Sequence, residues 1–453
     1  MSEFSAIILA AGQGTRMKSD RCKVLHEICS KPLVQWVYDA CIAAGSQKTV
    51  MVIGHKKEDV VEKMGADKCY AVQSERKGTG HAVQMAQEAF AGYGGTIVVL
   101  NGDTPLVSAQ TIQNAVAYHT ASGAAATVIS AKLDDPTGYG RIVRDMEGGL
   151  RKIVEQKDAD EYEKTLHEIN SGMYCFDGAL LFDVLAKIKN DNAQGEYYLT
   201  DTIAILKDMG RKVEAYCMEN SDELLGINDR MDLAAAQKVK QAQINRKLMK
   251  SGVTMIDPDT VYADDTVQIG ADTILYPNVI LKGDTVIGKD CIIEMGTTIE
   301  NSTIGQRVHI KNSMILDAGV GDDTTVGPFA YIRPNSHIGA HARIGDFVEI
   351  KNSNIDDGTK VSHLTYVGDS DVGKRVNFGC GTVTVNYDGK NKFRTTIGDD
   401  VFIGCNTNLV APVKLENRAF TAAGSTITDD VEEEALAIAR SRQVTKSGWR
   451  KNK

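Results

Sequence analysis

The sequence predicts two folds in one chain: an α/β unit built on a mostly parallel sheet, then a parallel β-helix. Short β-branched runs alternate with helical stretches up to about residue 228, and aliphatic residues recur every six positions after Gly252. Between them lies a stretch without Gly or Pro. In the first part IILA, TVMVIG and TIVVLNGD read as buried strands, separated by segments such as PLVQWVYDACIAAG with helical spacing. Strands alternating with helices of that length argue for a parallel sheet covered on both faces. Residues 229–250, DRMDLAAAQKVKQAQINRKLMK, favour one long helix that links the halves. The expected organisation is therefore a domain at 1–228, a helical linker at 229–250 and a β-helix domain with its tail at 251–453.

The six-residue count runs through Ile269, Leu275, Leu281, Ile287, Ile293 and Ile299. It resumes at Val320, Val326, Ile332, Ile338, Ile344 and Ile350, and again at Ile397, Ile403, Leu409 and Leu415. Steps of five (Ile299 to Ile304, Val367 to Val372) shift the frame without ending it. Such a period means that three hexads make one coil and the aliphatic side chain always points inward. Gly or another small residue in the next position is expected to make each corner turn. Between Thr384 and Ile397 the register lapses into TVNYDGKNKFRT, which must loop outward, where binding residues are often placed. The tail VEEEALAIARSRQVTKSGWRKNK opens with a short helical pattern and ends basic.

Composition sets outer bounds. The 453 residues are 42% hydrophobic and 25% charged, an ordinary globular balance. A net charge of −9 argues against a general nucleic-acid surface, so any anion site must be a local basic cluster. Nine cysteines with no C-x-x-C pair give no disulfide or zinc framework. The run Ala6–Ala11 is too short to span a membrane. A reduced, cytoplasmic protein that uses neither nucleic acid nor membrane is expected.

After SAIILA comes Gly12-Gln13-Gly14-Thr15-Arg16-Met17. Met17 stands where a dinucleotide fingerprint needs glycine, and the spacing is not that of a P-loop. Strand, glycine turn, then Arg16 and Lys23 still suit a polyphosphate, because glycines let backbone N–H groups approach oxygens and a guanidinium binds them bidentately. Two glycines alone fit a plain strand–loop turn equally well. Asp103 ends the run TIVVLNGD, at a strand's carboxyl end, where open α/β sheets bind ligands. A lone strand-end Asp is as often a helix cap as a metal ligand.

LAAGQGTRM followed by KVLH resembles the signature of the sugar-nucleotide pyrophosphorylases. With the hexapeptide solenoid, the resemblance narrows to the bacterial bifunctional N-acetylglucosamine-1-phosphate uridylyltransferase/glucosamine-1-phosphate N-acetyltransferases. It runs from residue 5 to Trp449 through QSERKGTGHA, NGDTPL, DDPTGYGRIV, IVEQKDA, NAQGEYYLTD, HLTYVGD, NYDGKNKFRT and ALAIARSRQ. It implies a Rossmann-like nucleotidyltransferase domain and a left-handed β-helix. It also implies two reactions that make UDP-N-acetylglucosamine, the precursor of peptidoglycan and lipopolysaccharide, with UTP and acetyl-CoA as co-substrates.

For uridylyl transfer the resemblance implies that Gly12, Gly14 and Arg16 hold the triphosphate, with Lys23 on the phosphates, and that Leu9, Ala10 and Ala11 also contact UTP or the UDP-sugar. Gln73, Gly78 and Thr79 would read the uracil and ribose end. Asp103 and Asn228 would hold Mg²⁺, which takes few protein oxygens. Gly138, Glu155 and Asn170 match positions that contact the amino sugar. Many members have Tyr-Gly-Asp where this chain has Asn101-Gly102-Asp103, and Asn101 is expected to act through its backbone.

For acetyl transfer the substrate ammonium must lose a proton, work suited to a histidine. His363 takes the third place of the hexad beginning at Val361, on the coil surface. A lone surface His is usually inert, but the family motif makes it the base, and Glu349 is the candidate for orienting its imidazole. Arg333 and Lys351 are assigned to the sugar phosphate, with Tyr366 and Asn377 beside them. Asn386, Tyr387 and Lys392 come from the outward loop. Ala423 and Arg440 are expected on acetyl-CoA, with Cys380 and Cys405 where relatives commonly carry Ala and Ser. The family implies a homotrimer with acetyl sites between chains. Two rival readings share parts of this pattern: an ADP-glucose or dTDP-glucose pyrophosphorylase, and a non-catalytic scaffold like the pyrophosphorylase-like subunits of a translation-initiation exchange factor. HLTYVGD and NYDGKNKF disfavour the first, and the intact Arg16, Lys23 and Asp103 disfavour the second.

Overall fold

A computed structural model describes residues 3–192 and 194–452. The chain divides into two compact units, Met1–Lys240 and Gln241–Lys453. The helix Arg230–Lys250 contains the point of division. Among the described residues no helix is long and apolar enough to cross a membrane.

In the first unit seven strands lie in the order Val213–Met218, Ala126–Lys132, Glu168–Asp177, Thr96–Asn101, Phe4–Ala10, Thr49–Ile53, Cys69–Val72. The central strand FSAIILA has no polar alternation because both its faces are covered. Ala6, Ile8 and Ala10 enter one core and Ile7 the other. Leu33–Ala43 packs on the first of these through Val34, Val37 and Cys41. Glu168–Asp177 runs antiparallel to both neighbours. A parallel partner needs a long crossover. Here only the hairpin Arg141–Arg144/Leu150–Val154 and a 3₁₀ turn separate it from Ala126–Lys132. The parallel strands Phe4–Ala10, Thr49–Ile53 and Thr96–Asn101 send their carboxyl ends to one edge of the sheet.

The second unit is the left-handed hexapeptide β-helix: three parallel sheets of eleven, ten and nine strands, each strand pairing with the third one after it except in the last pair, Phe420–Thr421 with Leu436–Ala437. The inward aliphatics are buried from Leu275 to Leu415, whereas Ile269, on the first coil of its sheet, is half-buried. At the start of the solenoid Asn245 Nδ2 donates to the carbonyls of Pro258 and Val261 at 2.8 and 2.9 Å.

Two expectations need correction. Glycine in the place after the aliphatic residue does not supply the turn. A Cβ on Gly270 would lie 2.5 Å from the Lys289 nitrogen, so glycine is required by the close approach of the next coil. The left-handed backbone falls two residues later, on Asp272, Asp290, Arg307, Asp323, Asp400 and Asn406. Asn and Asp tolerate that conformation best among residues with a side chain. The tail does not begin as a helix. Leu436–Ala437 is a strand parallel to Phe420–Thr421, and Ala422 donates to the Ala437 carbonyl at 2.9 Å. The open edge of the last coil supplies a ladder of backbone partners, which outweighs helix propensity in a short segment.

Candidate active sites

At the carboxyl edge of the first sheet a cleft of ≈ 520 Å³ is lined by Leu9, Ala11, Gly12, Gly14, Arg16, Lys23, Gln73, Gly78, Thr79, Asn101, Asp103 and Asn228. The segment after the glycine loop is pinned by two buried side chains, Met17 and, in the 3₁₀ turn Lys23–Leu25, Val24. Gly14 is left-handed at φ 63°, and a Cβ there would run into the Lys23 side chain. That closeness aims Lys23 across the cleft: its Nζ lies 2.5 Å from Asp103 Oδ2 and donates to Asn228 Oδ1 at 3.2 Å. Arg16 Nη2 donates to the same Asn228 oxygen at 2.7 Å. Two cations and two oxygen donors thus meet at one point. Gln73 Nε2 donates to the Gly78 carbonyl at 3.1 Å, and Thr79 Oγ1 accepts from the Leu199 N–H at 3.0 Å. Ala10 lies in the core and does not line the cleft. Thr15, Val24, Arg76, Ala82 and Glu196 line it and were not foreseen. Arg76 was findable as one of two cations, with Lys77, inside QSERKGTGHA.

Gly138, Glu155 and Asn170 form a neighbouring group. Glu155 Oε2 and the Asn170 β-carbon both sit 3.5 Å from where Gly140 would carry a Cβ. Asn170 Oδ1 accepts from the Tyr174 hydroxyl at 2.9 Å and from the Gly172 N–H at 3.1 Å. Burial pushes the Glu155 carboxyl above its ordinary range, helped by the charges of Asp158 and Asp201. Asn101 engages its neighbours at both ends: its carbonyl accepts from Thr104 Oγ1 at 2.8 Å and its amide leans on Gly172. Beneath the group lies Arg141, 1% exposed, its Nη1 donating to the Tyr139 carbonyl and its Nη2 to Gln156 Oε1 at 2.7 Å. Gln156 Oε1 also accepts from the Gly138 N–H at 3.3 Å. Arg141 thereby holds the Gly138–Gly140 loop, a role no local pattern announced.

On the β-helix, three cations gather around two carboxylates. Arg333 Nη1 donates to Glu349 Oε1 at 2.7 Å, and Lys351 Nζ lies 3.5 Å from Asp369 Oδ2. The adjacent Lys351 ammonium holds Lys392 below its ordinary range. Asp369 is 4% exposed. Burial raises its carboxyl, but hydrogen bonds from Asn352 and Asn386 and the Lys351 charge outweigh that and lower it. Asn386 Nδ2 also reaches the Tyr366 hydroxyl at 3.4 Å. Tyr387 bridges Lys392 across the outward loop. Asn377 stands apart from this group, beside Lys360 on the sheet that carries His363.

His363 Nδ1 lies 2.8 Å from Asp346 Oδ1. The expected partner, Glu349, is instead taken by Arg333, so Asp346 orients the imidazole. The Asp346 carboxyl is held below its ordinary range by the hydrogen bond from His363. Asp346 and His363 pair in register, as do Val361 and Phe378, Phe378 and Ile403, and Ile403 and Thr421. Counting two residues beyond the last three places Asp346, His363, Cys380, Cys405 and Ala423 in one column along a single corner. Arg440 closes it, its δ-carbon 3.7 Å from where Gly424 would carry a Cβ.

The family model of nucleotidyl transferases matches residues 5–231, and that of bacterial transferase hexapeptide repeats matches 266–301 and 317–352. The bifunctional protein GlmU of Acetivibrio thermocellus is 54% identical over 449 residues, 99% of this chain and 97% of that one. GlmU of Clostridioides difficile is 52% identical over 98% of this chain and 97% of its own. That of Listeria welshimeri is 51% identical over 100% and 99%. With both halves matched at such identity over nearly their whole length, the chain belongs to the bifunctional GlmU family.

Proposed function

We propose that the chain makes UDP-N-acetylglucosamine in two steps, acetylating glucosamine 1-phosphate and then joining the product to UMP from UTP with release of pyrophosphate. The observation that carries this reading is that one chain holds two separate clusters of cations, one at a sheet edge and one on a hexapeptide coil beside a paired histidine.

In the first step Arg333, Lys351 and Lys392 bind the sugar phosphate: three cations against two carboxylates leave charge for an anion. Asp346 accepts from Nδ1–H of His363, so Nε2 carries the lone pair and takes the ammonium proton of the substrate. The freed amine attacks the thioester of acetyl-CoA, laid along the column of Cys380, Cys405, Ala423 and Arg440. In the second step Gly12, Gly14, Arg16 and Lys23 hold the triphosphate so that the sugar phosphate meets the α-phosphorus in line. Gly138, Glu155 and Asn170 hold the amino sugar.

The oxygens of Asp103 and Asn228 converge on one cation, the Lys23 ammonium, which marks a place for positive charge. One carboxylate and one amide oxygen fit Mg²⁺, a hard ion that completes its shell with phosphate and water. Bound there, it would neutralise charge on the phosphates. A homotrimer working in the cytoplasm completes the proposal.

A single tube with UTP, glucosamine 1-phosphate, acetyl-CoA and Mg²⁺ tests it. UDP-N-acetylglucosamine, free coenzyme A and pyrophosphate should all accumulate. Absence of coenzyme A refutes the acetyl half, and coenzyme A without pyrophosphate refutes the uridylyl half.

A further inference from the structure

We propose that Cys380 and Cys405 are a redox-modifiable pair whose reversible disulfide shuts acetyl transfer. The proposal rests on the reading that their column carries acetyl-CoA.

The two cysteines hold the same register position on consecutive coils. Phe378 pairs with Ile403, and each thiol follows two residues later. The backbones stay in step past them, with Gly379 donating to the Ile403 carbonyl and Asn406 to the Cys380 carbonyl, both at 2.8 Å. Neighbouring strands lie about 4.8 Å apart. That falls inside the roughly 4.4–6.8 Å between α-carbons that a disulfide spans.

Among the described residues no other pair of accessible thiols is so placed. Cys22, Cys29, Cys41, Cys175 and Cys291 are buried. Cys69 is exposed and Cys217 half-buried, but they sit on strands at opposite edges of the first sheet. Cys405 is exposed and Cys380 half-buried, so an oxidant can reach one thiol and the second can resolve the product. Both lie in the column that begins with Asp346 and His363.

The chemistry balances with a low-molecular-weight disulfide as oxidant. The Cys405 thiolate attacks glutathione disulfide, forming a mixed disulfide and releasing one glutathione thiolate. The Cys380 thiolate then attacks the Cys405 sulfur and releases the second. Two electrons pass from the cysteine pair to the oxidant, and the two thiol protons leave with the two glutathione molecules. The coils need not move, but the new bond turns both side chains toward each other where the acyl donor must lie, and displacements of about 1 Å cost catalysis heavily.

The full-length chain treated with glutathione disulfide is assayed for both activities and mapped by mass spectrometry without reduction. We expect a linked Cys380–Cys405 peptide, acetyl transfer lowered roughly tenfold or more and regained with dithiothreitol, and unchanged uridylyl transfer. Cys380→Ala and Cys405→Ala proteins, each compared with its own untreated rate, should lose under about twofold. Glutathione trapped on Cys405 alone, a linked peptide with undiminished acetyl transfer, or equal loss in both variants overturns the proposal. Untreated protein without acetyl transfer would strike the acetyl-CoA reading instead, and the peptide map would still decide whether the pair links.

Discussion

Asp346 and His363 face one another on consecutive coils, Oδ1 to Nδ1 at 2.8 Å, both at the surface of one corner. A carboxylate in that position fixes which ring nitrogen carries the proton and leaves the other free to accept one.

Removing the base and removing its partner should therefore differ in size but not add. His363→Ala should lower acetyl transfer by about 10²–10⁴-fold. Asp346→Ala should cost about 10–100-fold, the usual scale for an orienting partner. The double variant should be no worse than His363→Ala, because the carboxylate acts only through the ring. Steady-state rates at saturating acetyl-CoA decide this. An Asp346→Ala protein at full rate would remove the partner from the mechanism.

The same pair shows how far the sequence could be read. Aliphatic spacing located the β-helix because each inward residue meets an unbroken hydrophobic column, and the strand runs located the sheet. Asp346 was missed through a five-residue step from Ile350 to Ile355, which shortens that coil so that His363 faces the residue 17 positions earlier. Glu349 looked suitable only because side-chain partners across coils are invisible locally. Asp369 lies inside the quoted HLTYVGD, yet its hydrogen-bond partners Asn352 and Asn386 come from other coils. Arg141 lies inside the quoted DDPTGYGRIV, but its supporting role left no local sign. Its partners are a backbone carbonyl and an amide 15 residues on, which only the folded hairpin brings close.

Asp103→Asn should separate the two reactions. The substitution keeps the shape but removes the charge paired with Lys23 at 2.5 Å and the carboxylate proposed for Mg²⁺. Uridylyl transfer should fall by roughly 10²-fold or more. Acetyl transfer should stay unchanged, since its residues lie in the other compact unit. Joint loss in well-folded protein would contradict separate sites.

Arg141→Met tests the loop support. The side chain is nearly fully buried, and its guanidinium ties down Tyr139 and Gln156. Met keeps most of the volume but takes the guanidinium donor from the Tyr139 carbonyl and leaves Gln156 Oε1 only the longer bond from Gly138, at about 1–3 kcal/mol. The Gly138–Gly140 loop should loosen, raising KM for the sugar phosphate while KM for UTP holds. Equal rises in both constants would point to general loss of structure.

Glu155 gives a pH test with a definite sign. Burial first, then the charges of Asp158 and Asp201, hold its carboxyl above the ordinary value. The folded protein therefore binds that proton more tightly than the unfolded chain. The stability it contributes is complete below the unfolded value, about 4.3, and is lost as pH rises through the folded value. Glu155→Gln cannot ionise and escapes that loss. Its melting temperature should match the parent below about pH 4 and exceed it near pH 8. If the carboxylate grips the amino sugar, the same variant should bind N-acetylglucosamine 1-phosphate less well, gaining stability while losing function. Melting curves that stay parallel across the whole range would show that Glu155 carries no burial strain, and the sugar site would need another anchor.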